Sequence, residues 1–141
     1  MAEPDIAIAK LQRDTAERFQ HLRRELGANS LGINLIVLQP GQRSRIHAHE
    51  HQEEEYLVLE GELTLVVEGV EHTLGADEIA RVGAATRRQI ANKGRARLVL
   101  LALGAAGQHE SRDAIAWTSW HEDGPGRPPQ EVPLPDDDAV A

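Results

Sequence analysis

Between residues 31 and 103 the chain is cut into short apolar runs by glycine-bearing turns, and this punctuation limits the fold more than any other feature of the sequence. Runs fall at 33–38, 45–49, 55–60, 63–68, 71–74, 78–82, 87–91 and 97–103. Turn signals such as Gln39-Pro40-Gly41, Gly61-Glu62, Gly69-Val70, Gly75-Ala76-Asp77 and Asn92-Lys93-Gly94 separate them. Strands of this length at roughly 8–12-residue spacing belong to an antiparallel sandwich or barrel. No part of this region has helical periodicity, so the core is all-β. The last run, 97–103, is apolar on both faces and is expected to be buried on both sides.

Within this pattern lies residues 41–61, GQRSRIHAHEHQEEEYLVLEG. His47 and His49 are two apart, so on a strand their imidazoles face the same side. Glu54, Tyr56 and Val58 share one parity on the next strand. If that strand folds beside the first, two nitrogens and an oxygen converge, and two His with one carboxylate is a common ligand set for a divalent transition metal. Glu53 and Glu55 must point away from Glu54, because neighbours alternate on a strand and clustered carboxylates repel. A hydrated histidine-rich loop is the plainer alternative for the same residues.

Composition removes several chemistries. The 141-residue chain has no cysteine, so disulfides, thiolate metal sites and cysteine nucleophiles are excluded. The sequence carries no nucleotide-binding glycine pattern, no HExxH and no GxSxG, which disfavours nucleotide and acyl-transfer chemistry. The net charge of −8 disfavours nonspecific nucleic-acid binding. Much of that charge lies in residues 122–141, which hold six acids against one arginine. No apolar run is long enough for a membrane span and no signal-peptide core is seen, so a cytoplasmic protein with neither nucleic-acid nor membrane partners is expected.

The flanks divide into an N-terminal arm or helix (1–30), a packing segment (105–122) and a flexible, Pro- and acid-rich tail (123–141), around a barrel at 31–104. Residues 6–11 alternate like a short strand. Asp14 with Glu17 resembles a capping box, Phe19, Leu22 and Leu26 keep helical spacing, and Gly27 fits a C-terminal stop, so a helix is expected over 14–27, with Leu11 and Phe19 in an extended arm as the alternative. His21, off the apolar stripe, is expected to face solvent, as are His72, His109 and His121. Residues 104–107 read as a flexible exit. Ile115, Trp117 and Trp120 are expected to pack back on the barrel.

The spacing of Gly41, His47-x-His49, Glu54 and Gly61 resembles the first motif of the cupin superfamily. The resemblance implies a double-stranded β-helix, the jelly-roll or cupin barrel. It implies metal ligation by His47, His49 and Glu54, joined by a later histidine. The second motif departs from the pattern: Gly75 and Gly83 are in place, but Arg81 stands for proline. The histidine position falls on Thr86 counting from Gly83, or on Arg88 counting back from Asn92. Three readings stay open. His47, His49 and Glu54 alone hold Fe, Mn, Ni or Zn; His51 or Gln89 adds a fourth ligand; or no metal binds and Arg88 or Arg87 neutralises Glu54. Arg88, Tyr56 and Thr86 are the candidate substrate-pocket residues, and no organic cofactor is implied.

Three functions follow. One is a metal-dependent enzyme of dioxygenase, isomerase or decarboxylase type acting on a small, often anionic molecule. The others are a noncatalytic small-molecule-binding or sensing module, and a mainly structural homodimeric module. A homodimer is expected in any case, with residues 6–11 and the Trp117–Trp120 region contributing to its contact.

Overall fold

A computed structural model describes residues 3–105 and 113–139; Gly107 and His109, named above, lie outside them. The strands are β1 (Phe19–Gln20), β2 (Gly32–Leu38), β3 (Ile46–His49), β4 (Glu53–Glu60), β5 (Leu63–Val67), β6 (Val70–Leu74), β7 (Ile79–Val82), β8 (Arg88–Ala91), β9 (Leu98–Ala105) and β10 (Ala114–Trp117). They form two five-stranded antiparallel sheets, ordered β1-β2-β9-β4-β7 and β10-β3-β8-β5-β6. From β2 to β5 the chain switches sheet at each step, and it switches again from β6 through β10. That winding is the double-stranded β-helix that the resemblance implies, a closed form of the sandwich or barrel read from the turn spacing.

Alternation within each strand builds the core. Ile36 and Leu38 of β2, Tyr56 and Val58 of β4, Leu63 and Leu65 of β5, Ile90 of β8, and Leu98, Leu100 and Ala102 of β9 form one buried cluster between the sheets. The opposite faces of β2 and β9 are apolar too: Leu35, Val37 and Val99 are covered by Leu22 and, in part, by Ala9, Leu11 and Leu26. This explains why 97–103 is hydrophobic on both sides, since the N-terminal arm closes the outer face.

In the arm, the helix expected over 14–27 is cut short and Phe19 takes the extended alternative. Helix α1 spans only Leu22–Leu26, and Phe19–Gln20 is strand, paired with Ile36 and Leu35 of β2. Asp14 and Glu17 form no capping box; the Glu17 amide instead donates to Thr15 Oγ1 at 3.0 Å, and the helix begins at His21 without a side-chain cap. A short isolated helix has little stability of its own, whereas β2 offers an open ladder to pair with. Gly27 does end the helix in the left-handed region at φ 65°. Residues 6–11 form no strand, and Ile6 and Ile8 are exposed.

The tail runs back over the barrel. The Ala116 amide and carbonyl pair with Arg127, Asp138 N–H donates to Gly41 O at 2.8 Å, and Val132 is buried. Arg18 and Arg43 face Asp137 and Asp138 at 3.6 and 3.5 Å. Trp117 is buried, with its indole N–H donating to Gly124 O at 3.0 Å and the Arg87 guanidinium 5.6 Å above its ring. Of the segments expected at a homodimer contact, residues 6–11 keep Ile6 and Ile8 exposed, whereas Trp117 is buried within the chain's own fold. Among the described residues no helix is long and apolar enough to cross a membrane.

Gly61 turns β4 into β5 at φ +82°, and a Cβ there would sit 2.4 Å from Arg97 O. Gly69 has the same φ but open space around it. Gly61→Ala should therefore lose about 3 kcal/mol in urea unfolding, and Gly69→Ala only about 1 kcal/mol, the cost of the left-handed backbone alone.

Candidate metal centre

The centre forms where the two sheets face each other at one end of the barrel. β3 lies between β10 and β8, and its parity sends His47 and His49 inward. β4, in the other sheet, sends Glu54, Tyr56 and Val58 inward, as the sequence parity predicts. The ligand atoms of His47, His49 and Glu54 all lie within 4.8 Å of one another. The Nε2 atoms of His47 and His49 are each 3.2 Å from the same carboxylate oxygen, Glu54 Oε1. The Tyr56 hydroxyl donates to that oxygen at 2.5 Å.

Each imidazole has an oxygen acceptor on both sides. His47 Nδ1 is 3.2 Å from Arg45 O, while its Nε2 faces Glu54. His49 Nδ1 is 3.5 Å from Asp113 Oδ2, while its Nε2 faces Glu54. Neither ring nitrogen of His49, though buried, has an aligned hydrogen bond. A neutral imidazole can donate from only one nitrogen. With Nδ1–H directed at a carbonyl or carboxylate, the Nε2 lone pair is turned toward a carboxylate, and only a proton or a cation between them resolves the contact. Metal-ligating histidines commonly have this outer-oxygen arrangement. Donors roughly 3.0–3.4 Å apart are also what a tetrahedral or octahedral ion with bonds of ~2.1 Å requires. The donor set therefore fits a divalent ion.

Burial pushes the Glu54 carboxyl up, but the adjacent rings of His47 and His49 outweigh it and hold the group well below the usual carboxylate range. Tyr56 moves the other way: burial, and then the Glu54 charge, raise it well above the ordinary phenol value, so it stays protonated and donates.

Arg88 stands directly across from His47 in the β3–β8 ladder. Its side chain is fully buried, with Nε 3.9 Å from Glu54 Oε1. Its terminal nitrogens donate to Val82 O, Gly83 O and Ala84 O at 3.3, 2.9 and 3.4 Å. Arg88 thus adds positive charge behind Glu54 and does not line the cavity in front of it.

The other anticipated residues lie elsewhere. Thr86 borders a separate cavity with Leu65, Val67 and His72. Gln89 donates to Ser44 O at 2.8 Å and borders the outer face of the second sheet. His51 is paired through Nδ1 with Asp113 Oδ1 at 3.0 Å, outside the group of three. Arg87 pairs with Glu68 at 3.3 Å and is not near Glu54.

Asp113 is the residue that motif reading misses. Buried at the start of β10, it accepts the amides of His51 and Gln52, both at 3.0 Å, besides facing His49. Burial pushes its carboxyl up, yet those amide bonds and the His51 ring bring it below its usual value. Only the expected packing of Ile115 and Trp117 back on the barrel pointed to this segment.

The residues at 34–104 match the family model described as the cupin domain. The chain belongs to the cupin family. Among solved structures it is similar to a sugar phosphate isomerase from Silicibacter pomeroyi, at 31% identity over 62% of this chain and 57% of that one, TM-score 0.57. It is similar to a putative sugar phosphate isomerase from Acidithiobacillus ferrooxidans, at 29% identity over 70% of this cupin and 63% of that chain, TM-score 0.61. A cupin protein from Bacteroides fragilis shares the fold at 20% identity over 77% and 92% of the two chains, TM-score 0.67. The chain spans about three fifths of the two isomerase-titled proteins it resembles. No curated protein matches it in sequence.

Removing Arg88 strips a buried carboxylate of its cation and frees three carbonyls. Arg88→Met should cost about 3 kcal/mol in metal-free urea unfolding, and saturating divalent metal should restore part of that loss.

Proposed function

We propose that this cupin holds a divalent transition-metal ion on His47, His49 and Glu54 and presents its open coordination positions to a small molecule entering the barrel. The observation that carries the reading is the bracketing of both imidazoles by oxygen: Arg45 O and Asp113 Oδ2 outside, Glu54 Oε1 inside. When bound, such an ion supplies Lewis-acid polarisation of a carbonyl or hydroxyl oxygen. The chain's own residues do the rest. His47 and His49 are oriented through Nδ1, Tyr56 holds its proton on Glu54 Oε1, and Arg88 balances the charge of Glu54 from behind. Similarity to structures titled sugar phosphate isomerases supports isomerisation of a small hydroxy-carbonyl compound as the reaction class.

A metal-free binding module is the second reading, and the 3.9 Å approach of Arg88 Nε to Glu54 Oε1 favours it. There the arginine would be the cation of the site, and the fully buried guanidinium would replace a metal ligand.

Elemental analysis and thermal melts separate the two. Under the metal reading the purified chain carries near-stoichiometric Fe, Mn, Ni or Zn, chelation lowers its Tm, and readdition restores it. His47→Ala abolishes the response, while His72→Ala, exposed on β6 and outside the three-donor group, keeps it. An apoprotein whose melting ignores all four ions supports the arginine-neutralised module instead.

A further inference from the structure

The cavity in front of the centre is small and has a second polar feature besides the three donors. It encloses about 190 Å³ and is walled by groups that include Ile36, Tyr56, Ala102 and, from the tail, Leu134. That volume equals roughly six water molecules, far below the roughly 300–1,000 Å³ of pockets that enclose drug-sized ligands. It suits a molecule of a few carbons.

Arg45 also lines this cavity. It precedes β3 with the parity of His47 and His49, so the three side chains follow one another along one face. Among the described residues Arg45 differs from the other arginines around the barrel. Arg18, Arg43, Arg87, Arg88 and Arg97 each face a carboxylate. Arg45 makes one contact, from Nε to Val132 O at 2.6 Å, and its terminal nitrogens have no described protein partner. Asp136 borders the neighbouring outer cavity, which Arg45 also touches, but it is not in ion-pairing reach of Arg45. Part-buried, held by one bond and uncompensated, this guanidinium has its planar fork available to an oxyanion.

The geometry points to Arg45 as the anion-recognising residue of the cavity, and to a short-chain hydroxy- or oxo-carboxylate as its ligand. Arg88 cannot serve, because it is enclosed and spent on three carbonyls and Glu54. A carboxylate is preferred to a phosphate monoester because the cavity offers a single uncommitted side-chain cation for what would be a dianion. This assignment rests on the metal reading for the other end of the ligand, but recognition by Arg45 is measurable by itself.

The test is calorimetric titration of glycolate, a monoanionic hydroxy-carboxylate, and of inorganic phosphate into the full chain, metal-loaded and metal-stripped, for wild type and three variants. Glycolate should bind the loaded wild type better than phosphate. Arg45→Gln should weaken it at least about tenfold with metal content unchanged, and Arg45→Lys should recover part of the loss. Arg43→Gln is the control for a merely structural effect. Arg43 also ties down the tail, through Asp136 O and Asp138, but does not line the inner cavity, so glycolate binding should be unaltered. Equal weakening by Arg43→Gln and Arg45→Gln would overturn the assignment to Arg45, and phosphate binding as tightly as glycolate would overturn the carboxylate. A protein that takes up no metal while Arg45→Gln still weakens glycolate would sink the metal reading and leave Arg45 standing.

Discussion

A carboxylate inside a barrel must be matched by donors or positive charge, and the structure around Glu54 meets that demand from both sheets. Tyr56 reaches it from its own strand, His47 and His49 from β3, and Arg88 from β8. The pairing of His47 with Arg88 sets the register of this arrangement. A slip of one residue would turn Arg88 out of the barrel and place Gln89 or Arg87 inside. The hydrophobic alternation that buries Ile90 on the same face as Arg88 guards against such a slip, so core packing and charge placement enforce each other.

Two kinds of cation then compete for one oxygen. Arg88 supplies a fixed charge but reaches Glu54 only at 3.9 Å, with its other nitrogens committed to carbonyls. The imidazoles are nearer, yet each already has an oxygen acceptor beyond Nδ1. A carboxylate flanked by two imidazoles whose outer nitrogens already meet oxygen is a setting in which a divalent ion would gain strong bonds, and the nearby charge of Arg88 would weaken that gain. This balance distinguishes the chain from a site in which a histidine fills the position of Arg88.

The barrel was legible because its signals are local. Glycine turns and period-two alternation located β2 through β9 to within a few residues, and the parity of His47, His49 and Glu54 foretold their convergence. The N-terminal arm was not legible in the same way. Phe19, Leu22 and Leu26 have helical spacing, but a long-range partner, the open edge of β2, captures Phe19–Gln20 and leaves a helix of one turn. Asp113 and Arg45 escaped for a related reason. Their significance lies in what they face across the fold: two imidazoles and two amides for Asp113, a cavity and a tail carbonyl for Arg45. The tail's low apolar content suggested that it would bury little, yet Val132 alone gives it an anchor, and its acids meet Arg18 and Arg43.

The central claim is that His47, His49 and Glu54 together form the inner shell of a metal ion. X-ray absorption at the K-edge of the ion retained by the purified protein reads that shell directly. The account predicts two imidazoles with oxygen neighbours completing the shell, and loss of one imidazole's scattering in His49→Ala. A retained ion surrounded by oxygen alone, or an imidazole count unchanged by that substitution, would contradict it.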